Sequence, residues 1–356
     1  MVEQIRQRVA VYFVASPLNY LAARRVALDH EAGARQVLVC YRPALKPMVR
    51  DADWDAVIHM PWPRFEPLPG RFGRLRRTLA NLRLVADEIG PCDTIHLHSP
   101  VFDTEAVNYF VRALPRLTGA GALRGRILPD GVNSLHRHPM RFARRLAMKL
   151  RRLRGVVSPL LRYAPFSGDR IGSDADFVDR IYVLAGFGHE YDPGKVVVLG
   201  PLVDPAANAS SAEPAPRRAL VLGQPLLGHR QITEPQRQAI SEAMARWLEA
   251  EGMEQVDYKP HPREHGDGEF WSARYQRLVI DEPLESYMAH EAYDVVIGVC
   301  STALFTARQI QSPTCKVVAV GVECVRFDTL AMQEDVMKMM RQLGVVMIPV
   351  NNLPRS

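Results

Sequence analysis

Cysteine is scarce and carries no pairing pattern. The five residues, Cys40, Cys92, Cys300, Cys315 and Cys324, are an odd number, and no two are spaced CxxC. This argues against a disulfide-stapled secreted scaffold and against a CxxC redox or zinc module. Free thiols in a reducing compartment are the expectation. Long apolar runs are missing too. No stretch approaches ~18 uninterrupted apolar residues, so no transmembrane helix is expected. The first residues, MVEQIRQR, lack the apolar core of a signal peptide. Aromatic residues are only 8% of the chain, and none interleave with basic residues as RNA-stacking motifs do. Helix-turn-helix and zinc-finger spacings are also absent, so nucleic acid is not an expected partner. Internal repeats and low-complexity tracts are lacking.

What is present is ordinary globular material. The chain has 356 residues, 47% hydrophobic and 24% charged, with a formal net charge of +6. That length suggests two domains, and the mild basic excess suits anionic partners. Short apolar runs alternate with longer amphipathic ones. Arg8–Ala15, Gln36–Cys40, Ala56–His59, Thr94–His98, Arg126–Leu128, Ile181–Leu184 and Lys195–Leu199 read as strands, with helices at Leu21–Glu31, Arg74–Glu88 and Glu105–Leu114 between them. The proline-rich, small-residue stretch 205–216 reads as a linker. After it come strands at Ala219–Leu222, Val256–Lys259, Leu278–Ile280, Val295–Val299 and Lys316–Val320, and a helix over Thr233–Glu251. Continuous apolar strands alternating with helices predict parallel sheets covered on both faces. The expected organisation is therefore an N-terminal domain over 1–204, the linker, and a C-terminal domain over 217–356, with a cleft between the two α/β halves.

Ligands of such folds bind at the carboxyl ends of the strands, and several sequence features fall there. Lys259-Pro260-His261-Pro262 follows the strand at Val256–Lys259, and its two prolines stiffen the turn that aims His261. An imidazole at that place can donate a proton or hold a phosphate, although a rigid turn with a solvated ring fits the same residues. Ser301 and Thr302 open a helix after Val295–Val299, where free N–H groups and hydroxyls suit a phosphate or serve only as a cap. Asp130-Gly131 ends the strand at Arg126–Leu128; it is a candidate general base or a plain turn. Glu285 follows Leu278–Ile280, either to accept from a ribose diol or to complement a helix dipole. The loops holding Ser16 and Asn19, and Gly223 and Gln224, end the first strand of each half.

In their order these motifs resemble the bacterial sialyltransferase and polysialyltransferase group, whose members carry an acidic-acidic-glycine motif, a His-Pro motif and a Ser/Thr pair. Asp130-Gly131, His261-Pro262 and Ser301-Thr302 are similar to these, Glu285 resembles the group's glutamate between the last two, and Val14-Ala15-Ser16-Pro17-Leu18 is similar to its first loop. One departure is plain: Pro129 stands where the first acid is expected, which leaves Asp130 as the base. The resemblance implies a GT-B fold, two Rossmann-like domains with parallel sheets facing an interdomain cleft. It implies an inverting glycosyltransferase that moves a nonulosonic acid from its CMP donor to a glycan or glycolipid hydroxyl. Asp130 would be the base and His261 would assist the phosphate leaving group. The nucleotide would be held by Gly223, Gln224, Lys259, Pro262, Glu285, Ser301 and Thr302, and the acceptor or sugar by Ser16, Asn19, Gly131 and His136. A CMP-Kdo or UDP-sugar transferase of the same fold remains the alternative.

No cofactor is expected beyond the CMP-sugar substrate, and no metal. Asp51-Ala52-Asp53 and Asp174-Ala175-Asp176 have Asp-x-Asp spacing but read as solvated surface, the second in a helix-like run. His96-Leu97-His98 and His136-Arg137-His138 offer imidazole pairs without an evident third ligand. The stretch Arg141–Arg154 places leucines at helical spacing among many cations. It reads as an anionic membrane contact, as a track for an anionic polymer, or as a solvated helix covering its domain. The expected location is the cytosol, with the basic stretch suggesting a peripheral place on the inner membrane.

Overall fold

The computed structural model of the chain describes residues 8–130, 137, 139–140, 142–185, 189–200, 202, 216–261, 263–264, 266–282, 284–327 and 330–350. The linker read at 205–216 lies outside them apart from its last residue. The chain divides into two compact units, the first reaching Leu202 and the second following it.

The first unit runs β1 (Arg8–Val14), α1 (Pro17–His30), β2 (Arg35–Cys40), β3 (Ala56–His59), α2 (Gly73–Ile89), β4 (Thr94–Ser99), α3 (Glu105–Thr118), β5 (Ala122–Ile127), α4 (Phe142–Arg151), α5 (Arg154–Val157), β6 (Val178–Leu184) and β7 (Val196–Leu199). Its strands are all parallel, in the order β3-β2-β1-β4-β5-β6-β7. The second unit runs β8 (Arg218–Leu222), α6 (Glu234–Ala250), β9 (Gln255–Lys259), β10 (Gln276–Arg277), α7 (Leu284–His290), β11 (Val295–Gly298), α8 (Thr302–Ile310), β12 (Lys316–Val320), α9 (Leu330–Gln342) and β13 (Val346–Ile348). Its sheet is parallel too, in the order β10-β9-β8-β11-β12-β13. Each unit thus winds outward from its first strand in one direction and then returns to build the other side. That reversal opens a crevice beyond the carboxyl ends of β1 and β4 in one unit, and of β8 and β11 in the other.

The local reasons are legible. Val9 to Val14 are all fully buried, because helices cover both faces of the sheet and an alternating pattern would leave polar groups stranded. Ser16 caps α1 by accepting from Asn19 N, with Pro17 in the first turn, where its missing N–H is not needed. Thr233 and Gln236 form a capping box at the start of α6, which satisfies two otherwise orphaned groups. Each unit has its own core, one built around Phe13, Leu97, Phe110 and Ile127, the other around Val221, Ile240, Tyr258 and Ile297.

Three expectations need correction. The strand read at Leu278–Ile280 is instead β10 at Gln276–Arg277. Leu278 N makes one further bond to Tyr258 O, and then the edge departs from the sheet with Val279 81% exposed. The apolar run there is a sheet border, where burial does not enforce pairing. Asp174 and Asp176 sit in turns rather than a helix; Asp174 accepts from Asp169 N and pairs with Arg137. The strand read at Arg126–Leu128 begins four residues earlier, at Ala122, over a stretch with little apolar signal whose ladder with β4 holds it. The helix α9 and strand β13 were not anticipated.

Candidate active site

In the second unit the carboxyl ends of three neighbouring strands, β9, β8 and β11, are tied directly to one another. Gly223 N, just after β8, donates to Lys259 O at the end of β9 (2.9 Å). Cys300 N, just after β11, donates to Gln224 Oε1 (2.9 Å). His261, Gly223, Gln224, Ser301 and Thr302, read separately from the sequence, thus belong to one strip of chain at the switch point.

His261 is oriented by backbone. Its Nδ1 accepts from Arg263 N at 3.1 Å, so the neutral ring carries its proton on Nε2, which has no hydrogen-bond partner among the described residues. Burial pushes its pKa below the ordinary histidine value. Glu264 pulls the other way, and Arg263, His229 and Lys259 push down with burial. The ring is therefore neutral at pH 7, a hydrogen-bond donor rather than a stored cation. Burial, with help from Arg277, also lowers the pKa of Lys259.

Glu264 organises this loop and was missed in the sequence. Its carboxylate accepts from His261 N (2.6 Å), Glu269 N (2.9 Å) and Tyr258 OH (3.1 Å). Glu269 in turn accepts from Leu227 N (2.7 Å) and Gly228 N (2.9 Å), which fastens the loop after β8. A carboxylate three residues after a Pro-His-Pro turn is the one signal that sequence reading had for it. The same carboxylate explains Gly223: a Cβ there would stand 2.2 Å from Glu264 Oε2 and 2.8 Å from Tyr258 OH. Gly268, at φ +106°, packs its own backbone as closely against Tyr258.

Ser301 caps α8, its Oγ accepting from Ala303 N at 3.2 Å, which leaves the hydroxyl proton to donate elsewhere. Thr302 begins the helix exposed. Gln224 spends its carbonyl oxygen on Cys300 N, so it braces the strand ends with that atom instead of offering it to a ligand. Cys300 lies beside them with its thiol pushed up to about 11 by burial, which keeps it unreactive. Glu285 sits in the first turn of α7, its carboxyl pushed above the ordinary range by burial; no hydrogen bond among the described residues joins it to His261 or Ser301. Pro262 lies outside the described residues.

In the first unit, Ser16, Asn19 and Asp130 come together at the carboxyl ends of β1 and β5. Asn19 Nδ2 donates to Pro129 O (2.8 Å) and to Asp130 Oδ1 (3.2 Å), and Asn19 Oδ1 accepts from Ala15 N (3.4 Å). Asn19 is fully buried. It was expected to meet acceptor or sugar; its amide is instead spent on Ala15 N, Pro129 O and Asp130 Oδ1, so that it braces Asp130. Pro129, in the place of an acid, keeps a backbone carbonyl there, and that carbonyl is what Asn19 grips. Tyr41 lies close enough that Asp130 adds to the burial that raises its phenol pKa. Gly131 and His136 lie outside the described residues.

The remaining imidazole pair has a different fate. Glu31, fully buried, accepts from His96 Nδ1 (2.9 Å) and pairs with Arg126, which also binds Asp179. His98 Nε2 lies 3.2 Å from Glu31 Oε1 but off the angle a hydrogen bond needs. The guanidinium fills the place of a cation, and no group of three metal-ligating side chains occurs among the described residues. Asp51 and Asp53 are exposed, with Asp53 paired to Arg24. All five cysteines are free thiols, and no helix among the described residues is long and apolar enough to cross a membrane.

The alpha-2,8-polysialyltransferase (POLYST) family matches residues 201–320, roughly a third of the chain. That span contains Gly223, Gln224, Lys259, His261, Glu285, Ser301 and Thr302 but not Asp130. No curated protein matches. Among solved structures, the alpha/beta-galactoside alpha-2,3-sialyltransferase of the luminous marine bacterium Photobacterium phosphoreum superposes with a TM-score of 0.54 at 9% identity, covering 98% of this chain and 100% of that one. The glycotransferase of kitacinnamycin gives 0.50 at 13% identity, covering 98% and 88%. The fold is GT-B, built from two Rossmann-like units, and the chain resembles the sialyltransferase and polysialyltransferase group.

Proposed function

We propose that this glycosyltransferase moves a nonulosonic acid from a CMP donor to a glycan hydroxyl with inversion and without a metal. The observation that carries the reading is the strip at the ends of β9, β8 and β11, where a neutral imidazole with its proton on Nε2 shares a strand-end platform with the hydroxyls of Ser301 and Thr302. A departing cytidylate is a phosphate monoester whose charge grows in the transition state, whereas the sugar cation it leaves needs little electrophilic help. Hydrogen-bond donors gathered on the nucleotide side suit that asymmetry. His261 donates to the leaving phosphate oxygen, Ser301 and Thr302 bind the same phosphate, and Glu285 accepts from the ribose diol. Asp130, held by Asn19, takes the proton of the acceptor hydroxyl. The acceptor glycan is presented at an anionic membrane surface on the cytosolic side.

The test is a nucleotide panel read by thermal unfolding, followed by turnover. CMP at 100 times its Kd stabilises the native state by about 2.7 kcal/mol, a shift of several degrees, while UDP and GDP at equal concentration leave Tm unchanged. A larger shift with UDP transfers the reading to a UDP-sugar donor. His261→Ala lowers turnover of the CMP-sugar by two orders of magnitude or more with Tm held, and full retention of turnover removes the role assigned to His261.

A further inference from the structure

The segment α4–α5 has two faces of different character. The inner one is spent within the first unit: Met148 is buried, Arg144 pairs with Asp103, and Arg151 and Arg154 pair with Glu105. It closes a cavity of about 750 Å³ with Trp62 and Phe72 on the opposite wall. The outer face is unlike the surface of a helix that merely covers its domain. Leu146, Leu150, Leu153 and Val156 are 48%, 56%, 64% and 87% exposed. Arg145, Lys149 and Arg152, which alternate with them along the segment, are exposed and have no ion-pair partner among the described residues.

We propose that this outer face docks the protein on an anionic lipid surface, with the three leucines and Val156 entering the headgroup–acyl boundary and the three exposed cations meeting lipid phosphates. Leu146 and Leu150 lie one turn apart on one side of α4, and Leu153 and Val156 follow at steps of three through the turn into α5. Water gains nothing from four such side chains left bare along one segment, and a soluble anionic polymer has no apolar phase to receive them. A leaflet rich in anionic lipid satisfies both parts at once. The proposal deepens the membrane clause of the functional reading and concerns only where the protein sits, so it stands or falls without the donor.

The experiment is co-sedimentation of the full chain with vesicles of phosphatidylglycerol and phosphatidylcholine, beside pure phosphatidylcholine and a soluble polyanion, polyglutamate. The expected result is binding to the anionic vesicles that weakens with salt. Charge reversal (Arg145→Glu, Lys149→Glu, Arg152→Glu) weakens it about 100-fold, on the scale of three surface cations near an anionic leaflet. Replacement of the apolar row (Leu146→Ser, Leu150→Ser, Leu153→Ser) weakens vesicle binding at least 10-fold and leaves polyglutamate binding unchanged. All six side chains are exposed, so the variants keep the Tm of the parent, and a Leu153→Trp variant shifts its emission to the blue on anionic vesicles alone. Absence of vesicle binding by the parent, or an apolar-row variant that binds vesicles as tightly as the parent, overturns the proposal. Polyglutamate binding alongside either of those two results turns the cationic row into a polymer contact.

Discussion

At the scale of single residues, the candidate site rests on side chains whose work is done for other side chains. Asn19 is the clearest. Its amide bridges Pro129 O and Asp130 Oδ1 from a fully buried position. Truncation in Asn19→Ala strands a buried carbonyl and removes one hydrogen bond from the carboxylate, at a cost of ~1–3 kcal/mol. Chemical denaturation should register that loss, with turnover falling by more than the stability change explains. Gly223 is the second case. A methyl group there must displace Glu264 from its bonds to His261 N and Glu269 N. Gly223→Ala is expected to lose ~2–4 kcal/mol together with the CMP-induced rise in Tm; an alanine variant that keeps both would mean the carboxylate is not needed there. His261 offers a test in pH. Because burial lowers its pKa, the ring is already neutral above its ordinary value of 6.5 and kcat/KM should stay level from pH 7 to 8.5. A decline with rising pH across that range would assign it the role of a cationic acid.

Elements explain why those residues lie together. A parallel strand delivers its chain to one edge of the sheet, and the turn that follows is where side chains are free of the ladder. Glu264 then ties the two ends of the turn after β9 together, one carboxylate serving His261 N, Glu269 N and Tyr258 OH. Glu264→Gln retains one acceptor oxygen and introduces a donor beside two N–H groups. It should lower stability by ~1–3 kcal/mol and weaken CMP about tenfold, measured by calorimetric titration. Equal CMP affinity in the variant would leave the loop's order to its prolines alone. Elements also show where sequence reading stopped. Continuous runs such as Val9–Val14 and Val295–Gly298 announced buried strands, since only a strand covered on both faces needs such a run. Gln276–Arg277 carries no apolar signal, because an edge strand is held by backbone bonds. In the basic stretch, helical spacing was legible but the direction of the leucines was not: spacing fixes that they share a side, and only packing decides whether that side meets the domain or solvent.

On the scale of the whole molecule, the two units carry the same winding order without a repeat in sequence, which is what right-handed crossovers between parallel strands produce twice over. The first unit also holds a buried charge cluster that makes its stability depend on pH. Burial lowers the pKa of His98, so as pH falls through 6.5 the unfolded chain takes up a proton the folded one refuses, and stability declines. Burial works to raise the carboxyl of Glu31, but His96, His98 and Arg126 outweigh it and hold the pKa well below the usual 4.5. Its contribution is present above that value and is lost as pH falls below it. Urea unfolding should therefore weaken in two stages, first between pH 7 and 5.5 and again below 4.5. His98→Gln is expected to flatten the first stage and to shrink the second only in part, since His96 and Arg126 still hold Glu31 down, and an unchanged pH 7 to 5.5 slope in that variant would detach the first stage from His98.

The sequence by itself determined the covered parallel strands, the alternation that gives two Rossmann-like units, and the candidates at strand ends, since periodicity and turn residues are local properties that each stretch carries alone. It also fixed which residue types stand in the His-Pro, Ser/Thr and acidic-Gly positions. Only the tertiary structure decided what surrounds them. It turned Asn19 from a ligand contact into a brace, gave His261 its tautomer through Arg263 N, put Glu264 under Gly223, and replaced an imidazole pair's missing ligand with Arg126. These depend on distances between residues far apart in the chain, set by how side chains fill space between strands, and no pattern along one segment encodes them.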